Sequence, residues 1–172
     1  MTRNPATNRR SVTRQAIFAC ALVGISILTS SMVLANVSGS TTYVNEEGYT
    51  INRHYDVHQN GALINLWKRN HHPSQDWFFT GDGTIHSASN YNYCLNLHNN
   101  NRSNGATINL WVCNGHDSQK WIYQNGNIKL KSDPSFCVNL HNYNNTNGAT
   151  INLWKCNGHA SQHWKKVAHP IR

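Results

Sequence analysis

The sequence predicts an all-β domain made of three similar repeats that close around one axis. The motif Gly-Ala-x-Ile-Asn-Leu-Trp begins at residues 61, 105 and 148, and Gln-x-Trp begins at residues 75, 119 and 162. Together the two motifs contain all six tryptophans of the chain. The segments between them are short, alternate apolar and polar residues, and end at Asn-Gly or Asp-Gly, which is typical of β-hairpins. Self-similarity at a fixed period of this size indicates a repeat architecture.

Residues 1–35 are predicted to be a secretory signal peptide. Four arginines precede an apolar run over residues 16–34, and Val33-Leu34-Ala35 supplies small residues at the expected cleavage point. A retained membrane anchor is the alternative, because an apolar run of this length can span a bilayer. The Gly, Ser and Thr residues inside the run favour cleavage. We therefore expect a mature domain over residues 36–172, secreted to the extracellular space or the periplasm, with no membrane span.

The charge of the mature part argues against a nucleic-acid partner. Four of the fifteen Lys and Arg residues lie in the predicted leader and none of the seven acids does, so residues 36–172 carry a net charge of +4. These charges occur singly or as adjacent pairs, and the repeats hold no longer run of basic residues. A chain of this length allows one domain.

The mature part divides into repeats at about residues 45–88, 89–131 and 132–172. The first two repeats continue after Gln-x-Trp into a further strand, whereas the third ends with the chain. Residues 40–44 lie in register with the missing strand. We therefore expect residues 40–44 to complete the last repeat and to bring the two chain ends together.

The cysteines of the repeats form two matching pairs. The second and third repeats each carry cysteines nineteen residues apart, Cys94 with Cys113 and Cys137 with Cys156. The first repeat lacks both members of the pair, as expected if the two are bonded to each other. Four cysteines allow three pairings, and the repeat selects this one. A Cys/His metal site is the alternative, but no Cys-x-x-Cys spacing occurs and an exported protein is oxidised, so no metal or other cofactor is expected.

The order Cys-Leu-Asn-Leu, Gly-Ala-Thr-Ile-Asn-Leu-Trp, Asn-Gly-His and Gln-x-Trp closely resembles the ricin B-type lectin family, the Gln-x-Trp β-trefoils. The resemblance covers about residues 40–172. It implies a β-trefoil of three repeats of about 43 residues with pseudo-threefold symmetry, in which three hairpins cap a six-stranded barrel. It also implies one potential sugar pocket in each repeat.

Strand alternation predicts an outward polar face in every repeat. Leu95 and Leu97 face the core, which leaves Asn96 facing outward, and the same rule turns Asn109 and Trp111 outward. An aromatic ring can pack on the C–H face of a sugar while neutral amides bond its hydroxyls. The candidate carbohydrate-binding residues are Asn52, Asn65, Trp67 and Asn70; Asn96, Asn109, Trp111 and Asn114; and Asn139, Asn152, Trp154 and Asn157.

The resemblance also shows where this chain departs from the family. Asn52, Asn96 and Asn139 occupy a position that usually carries Asp. The family often has Asn immediately before Gln-x-Trp, where this chain has Ser74, Ser118 and Ser161. The tryptophans of the candidate set correspond to the family's stacking aromatic. Both departures occur in all three repeats, which favours a changed site over independent decay.

Structural alternatives exist for the recurring residues. The tryptophans and glutamines of Gln-x-Trp are expected in the core, and the asparagines could serve in turns or at strand edges. Histidine recurs at two positions, as His54, His98 and His141 and as His72, His116 and His159. A solvated surface role is the expectation for these histidines, and contact with a sugar hydroxyl or pH-sensitive binding is the alternative.

The leading hypothesis is a secreted, non-catalytic lectin with several weak sites for glycans or polysaccharides. None of the seven carboxylates recurs threefold or pairs for acid–base work, and no nucleophile motif or phosphate loop is present. The rival hypothesis is a protein-binding β-trefoil, either a protease inhibitor or the targeting subunit of a toxin. A ligand-free extracellular domain is a third. The sugar and the oligomeric state are left open.

Overall fold

The computed structural model describes residues 39–169, so the predicted leader lies outside the described residues. Within this range the chain forms twelve strands and six single-turn 3-10 helices. The strands are β1 (Thr41–Val44), β2 (Tyr49–Arg53), β3 (Ala62–Lys68), β4 (Trp77–Phe79), β5 (Ile85–Ser87), β6 (Tyr93–Leu97), β7 (Ala106–Val112), β8 (Trp121–Gln124), β9 (Asn127–Leu130), β10 (Phe136–Leu140), β11 (Ile151–Lys155) and β12 (Lys165–Ala168). The 3-10 helices are η1 (His54–Asp56), η2 (Pro73–Gln75), η3 (His98–Asn100), η4 (Asp117–Gln119), η5 (His141–Tyr143) and η6 (Ala160–Gln162).

Six strands close into a barrel in the order β12, β1, β4, β5, β8 and β9. Antiparallel ladders join β12 to β1, β1 to β4, β4 to β5 and β8 to β9. The remaining two seams are shorter, with Trp121 N–H donating to Gly83 O and Trp164 N–H donating to Gly126 O, both at 2.7 Å. The first and last described strands lie side by side, from Thr41 opposite Ala168 to Val44 opposite Lys165.

Three hairpins cap one end of the barrel: β2–β3, β6–β7 and β10–β11. They meet around the pseudo-threefold axis, where β3 pairs with β7, β7 with β11, and Asn65 of β3 with Thr150. In each repeat the segment that reaches this axis begins with a buried alanine: Ala62, Ala106 or Ala149. Because alanine is small, the three hairpins can approach closely. The β-trefoil expected from the sequence is confirmed.

The tryptophans of Gln-x-Trp form the centre of the core, as predicted. Trp77, Trp121 and Trp164 are at most 1% exposed. Each donates its indole N–H at 3.0 Å to a carbonyl in the first strand of the capping hairpin of its own repeat. A buried indole therefore fixes the hairpin relative to the barrel, and its loss costs about 3–5 kcal/mol in comparable cores.

Both predicted disulfides are present. Cys94 bonds Cys113 and Cys137 bonds Cys156, each with Cα atoms 5.2 Å apart. Each bond links the first strand of one capping hairpin to the residue that directly follows the second strand. In residues 39–169 no helix is long and apolar enough to cross a membrane.

Candidate functional site

Each repeat carries one open cleft beside its capping hairpin, with volumes of 410, 400 and 340 Å³ in the first, second and third repeats. Six equivalent residues of the same four types line all three clefts: two asparagines, two histidines, a tryptophan and a serine. They are Asn52, His54, Trp67, Asn70, His72 and Ser74 in the first repeat; Asn96, His98, Trp111, Asn114, His116 and Ser118 in the second; and Asn139, His141, Trp154, Asn157, His159 and Ser161 in the third.

Two tight turns position the histidines of each cleft. After β2 the chain reverses through η1, where Tyr55 has a φ of 52°, and the same left-handed turn follows β6 and β10. This reversal holds His54 at the rim. On the other side, His72 caps η2 by accepting the backbone N–H of Ser74 at 3.2 Å. The loop before η2 is fixed by Gln75, which accepts from Asn70 N and donates to Lys68 O, both at 3.0 Å.

A chain of hydrogen bonds connects the two histidines of the first cleft beneath its floor. The Ser74 hydroxyl donates to Asn52 Oδ1 at 2.7 Å, and Asn52 Nδ2 donates to Asn65 Oδ1 at 2.9 Å. Asn65 Nδ2 lies 2.7 Å from His54 Nδ1, and His72 Nδ1 lies 2.9 Å from the Ser74 oxygen. We call this chain, His54–Asn65–Asn52–Ser74–His72, the polar relay.

The other two repeats contain the same relay. Its members are His98–Asn109–Asn96–Ser118–His116 in the second repeat and His141–Asn152–Asn139–Ser161–His159 in the third. The four links measure 3.1, 2.8, 2.9 and 3.1 Å in the second repeat and 3.2, 2.9, 2.8 and 2.9 Å in the third. A polar arrangement repeated three times at this spacing is a built feature of the fold.

The relay corrects one part of the sequence-based prediction. The six asparagines of β2, β3 and their counterparts were expected on an outward, accessible face, but none is more than 6% exposed. They do point away from the leucines, yet the 3-10 turns cover that face. Asn65, Asn109 and Asn152 lie behind the cleft and do not line it. Alternation thus predicts the direction of a side chain, whereas its exposure depends on what packs above it.

The remaining candidate residues do lie at the clefts. Trp67, Trp111 and Trp154 are half-buried and form one wall each. The exposed Asn70, Asn114 and Asn157 each accept a backbone N–H from the histidine two residues later at 3.0 Å. This bond orients the amide and leaves its Nδ2 as the donor available to a ligand.

The six recurring histidines were expected to be solvated at the surface: His72, His116 and His159 are exposed, whereas His54, His98 and His141 are half-buried. All six line a cleft, and the Nδ1 atom of each lies at one end of a relay. The signal that could have identified them was available in the sequence, since both histidine positions recur in every repeat. What alternation could not supply was the turn geometry that brings them to the same cleft.

The first cleft differs from the others in its charges. Its lining includes Arg53 and Asp56, whereas the second and third clefts have leucine and asparagine or tyrosine at these positions and no lining carboxylate. The Arg53 guanidinium lies 2.7 Å from Asp56 Oδ1. Burial lowers the pKa of Arg53, and the Asp56 carboxylate acts against that shift.

A His/Cys cluster lies outside the clefts. His86 Nδ1 is within 3.5 Å of both sulfurs of the Cys94–Cys113 bond. Because these sulfurs are joined in a disulfide, they are not thiolates, and His86 Nδ1 also contacts Tyr91 O at 2.8 Å. The cluster is therefore not a metal site in this state.

Comparison with known proteins agrees with this geometry. Residues 44–164 match the family described as the ricin-type beta-trefoil lectin domain. The designed threefold-symmetric protein ThreeFoil is similar over 75% of this chain and 98% of its own, with a TM-score of 0.68 and 19% identity. The C-half of the earthworm R-type lectin, solved in complex with GalNAc, is similar over 76% and 99%, with a TM-score of 0.66 and 18% identity. The agglutinin from Abrus precatorius is similar over 77% and 48%, with a TM-score of 0.63 and 23% identity. A search of curated proteins found no match.

Proposed function

This chain belongs to the ricin-type β-trefoil lectin family, and on that premise we propose that it is a secreted, non-catalytic lectin with one weak sugar pocket in each of its three repeats. The observation that carries the proposal is the threefold recurrence of one cleft, in which a half-buried tryptophan faces two histidines and an oriented amide. The two disulfides support an extracellular location, because such bonds persist in oxidising compartments.

The chemistry of the cleft suits a neutral hydroxylated ring. Trp111 supplies a flat apolar face of the kind that packs against sugar C–H groups. Asn114 Nδ2 offers a donor at the rim. His98 Nδ1 receives the amide of Asn109 in the relay, so the neutral ring carries its proton on Nε2, where it can be donated to a ligand oxygen. A sugar is thus held between one stacking surface and several hydrogen-bonding groups.

Weak individual sites favour multivalent use. Each cleft is open and presents a single aromatic ring, so the area that it can bury on one sugar is small. Three sites on a rigid barrel can instead engage several sugars of a polysaccharide or a glycan-coated surface at high effective concentration. We propose that avidity, and not the affinity of one cleft, gives useful binding.

Isothermal titration tests the number of sites. A glycan array first selects the ligand, and the wild type is then compared with Trp67→Ala, Trp111→Ala and Trp154→Ala. Each variant is expected to lose one site, so the stoichiometry should fall from about three to about two, and the affected site should weaken by roughly 1–3 kcal/mol. The core tryptophan is untouched, so the unfolding transition should stay cooperative. Loss of all binding in any one folded variant would replace the three-site proposal with a single asymmetric site.

A further inference from the structure

Exposed apolar side chains are concentrated at one hairpin of the molecule. Among residues 39–169, the exposed large apolar side chains are Tyr55, Val57, Leu63, Tyr91 and Val112. The first three lie in or directly beside the loop that joins β2 to β3. Val112 donates its backbone N–H to Asn60 Oδ1 of the same loop at 2.7 Å. Four of the five therefore lie at this loop or contact it.

The other two repeats have polar residues at the same positions. The equivalents of Tyr55, Val57 and Leu63 are Asn99, Asn101 and Thr107 in the second repeat and Asn142, Asn144 and Thr150 in the third. We call Tyr55, Val57 and Leu63 the apolar strip. Contiguous exposed apolar residues on a soluble domain mark an interaction site. The change from polar to apolar in one repeat alone indicates a contact that only the first repeat makes.

The backbone of Tyr55 gives independent support for a binding role. Its φ is 52°, the left-handed conformation that asparagine adopts at this position in the other repeats. This conformation is strained for a bulky side chain. Tyr143 also adopts it, but Tyr143 packs against the core, whereas Tyr55 is 83% exposed. Burial therefore does not offset the strain at Tyr55, and strain of this kind is typical of residues that contact a ligand.

A second cavity beside the cleft of the second repeat shows where the strip lies. This cavity has a volume of 460 Å³ and shares His98 and Asn99 with the cleft, so the two spaces are adjacent. Asn101 and Thr107 line its outer part. The three strip positions are thus equivalent to lining residues of this cavity, and the left-handed turn beside it is the same in both repeats. Because Tyr55 also lines the first cleft, the strip begins at that cleft and leads away from it.

Building on the proposed function, we propose that the first cleft binds glycosides with an aromatic aglycone, with the sugar in the cleft and the aromatic group on the apolar strip. The aglycone is the substituent of the sugar, so it is the part of the ligand that extends out of the cleft. It meets the exposed ring of Tyr55 first, and aromatic rings pack favourably on each other. Val57 and Leu63 continue the apolar surface beyond that ring.

The size of the strip argues against a protein partner. Stable protein interfaces bury roughly 800 Å² on each partner. Three side chains, of which Val57 is only 37% exposed, offer much less than this area. An aromatic group buries about 150–250 Å². A single aromatic ring therefore matches the surface that the strip provides.

Matched methyl, phenyl and hexyl glycosides of glucose, galactose, mannose and xylose test the proposal. The indole N–H signals of Trp67, Trp111 and Trp154 report the three clefts separately in NMR titrations. At Trp67 at least one phenyl glycoside should bind about tenfold tighter than its methyl partner. At Trp111 and Trp154 the same pair should differ by less than about twofold. The hexyl glycoside, whose aglycone has as many carbons, should gain less than the phenyl glycoside at Trp67.

A variant that copies the second repeat removes the outer part of the strip. Val57→Asn with Leu63→Thr changes no residue that lines the first cleft. It should abolish the phenyl gain at Trp67 and leave binding of the methyl glycoside unchanged there. The response of Trp111 should not change, which shows that the fold is intact. Tyr55→Phe should retain the gain, because the ring and not the hydroxyl contacts the aglycone.

The reverse exchange builds the strip in the second repeat. Asn99→Tyr with Asn101→Val and Thr107→Leu should create a phenyl gain at Trp111, while Trp154 responds as in the wild type. A folded variant without this gain would overturn the assignment of the strip as the aglycone site.

The outcomes separate this inference from the proposed function. If methyl glycosides bind and no phenyl glycoside gains at Trp67, the lectin proposal stands and the inference is overturned. If no glycoside binds any cleft, both are overturned. A phenyl gain that is equal in all three clefts, or that survives Val57→Asn with Leu63→Thr, also overturns the inference. An equal gain for the hexyl glycoside would overturn the aromatic preference. If sedimentation shows that the wild type self-associates and this double variant does not, the strip is an interface between copies of the chain and the inference is wrong.

Discussion

The first repeat and the two later repeats stabilise equivalent hairpins with different chemistry. In the second and third repeats a disulfide joins the two sides of the hairpin, and the last residue of β6 or β10 is a buried leucine. In the first repeat Thr50 and Arg69 replace the cysteines, and the buried leucine is replaced by Arg53. The difference shows that one backbone can be fixed either by a covalent bond with apolar packing or by a buried cation.

The guanidinium of Arg53 joins segments that are far apart in the chain. It donates to the carboxylate of Asp56, to the hydroxyl of Ser89, and to the carbonyls of Pro73 and Asp76, at distances from 2.6 to 3.1 Å. The guanidinium carbon Cζ of Arg53 lies 5.2 Å from the centre of the Trp77 ring in the core. One side chain therefore connects β2, η2 and the loop after β5, whereas each disulfide connects only the two sides of one hairpin.

The polar centre of the first repeat also reaches the chain ends. Asp76 is 4% exposed, and His169 Nε2 lies 2.6 Å from its carboxylate. Burial raises the pKa of Asp76, while His169 and Arg53 act in the opposite direction. The last described residue is thus held against the same region that Arg53 organises. A polar contact of the first repeat therefore lies beside the β1–β12 ladder that joins the first and last described strands.

The largest effect is expected from breaking this polar centre. Arg53→Ala removes the cation and leaves Asp56, Ser89 and two carbonyls without their donor. Removing one partner of a buried pair typically destabilises by about 3–5 kcal/mol. Urea denaturation should show this loss in the free energy of unfolding. A loss below about 1 kcal/mol would mean that Arg53 contributes nothing beyond an exposed ion pair.

A matched control replaces the buried ion pair of the first repeat with the uncharged residues that the second repeat has at the same positions. Arg53→Leu with Asp56→Asn copies Leu97 and Asn100 of the second repeat. This change removes both charges together and fills the volume, and such replacements are often neutral or stabilising. We expect the double variant to recover most of the loss caused by Arg53→Ala. Failure to recover would show that the carbonyls of η2, and not the carboxylate, depend on Arg53.

The covalent half of the comparison is tested by removing one disulfide. Cys137→Ala with Cys156→Ala should lower the free energy of unfolding by about 3 kcal/mol on the chain-entropy estimate. The same change at Cys94 and Cys113 should cost a similar amount, because the loops have equal length. Reduction of the wild type should cost about the sum of the two losses, and unfolding midpoints with and without reductant would measure it.

A third disulfide in the first repeat would sharpen the comparison. Thr50 pairs with Trp67 in the same register that Cys94 has with Trp111 and Cys137 with Trp154, so Thr50→Cys with Arg69→Cys should form a bond. Among residues 39–169, Arg69 Nε is buried without a hydrogen-bond acceptor, so its loss carries little penalty. We expect a gain of about 1–3 kcal/mol. Mass spectrometry verifies the bond, and thermal unfolding measures the gain.

The repeat pattern predicted most of the fold and part of the site. Two motifs that recur at the same period predicted the repeats, the buried Gln-x-Trp tryptophans and both disulfide pairs, because each of these features depends on local periodicity. The sequence predicted the tryptophan that lines each cleft, and its stacking on a sugar stays a prediction. The sequence did not predict the burial of Asn65 or the roles of His54 and His72. These features depend on left-handed turns that fold over the strand face.

Arg53 was missed for a different reason. Its position in the pattern is apolar in the other repeats, so alternation alone places a leucine-like residue in the core. Only its contacts with η2 and Ser89, which lie twenty or more residues away, explain how a cation is accommodated there.

The smallest expected effect concerns the seams between repeats. Lys120 of the second repeat pairs with Asp82 in the turn after β4 of the first, and the equivalent seam between the second and third repeats has Asn125 and His163 instead. The contact with Lys120, followed by bonds from Thr80 and Thr84, lowers the pKa of Asp82 below its ordinary range.

A carboxyl group whose pKa is lowered on folding stabilises the fold at pH values above its ordinary pKa, and this contribution is lost as the pH falls toward the lowered pKa. Because the side chain of Asp82 is 59% exposed, solvent screening limits the effect to about 0.5–1 kcal/mol.

Asp82→Asn should therefore lower the free energy of unfolding by this amount at neutral pH and by less in acid or at high salt. Lys120→Met provides the matched control, since it should remove the salt dependence but keep the turn bonds of Asp82. An equal loss at all pH values in Asp82→Asn would assign the contribution to the turn and not to the charge.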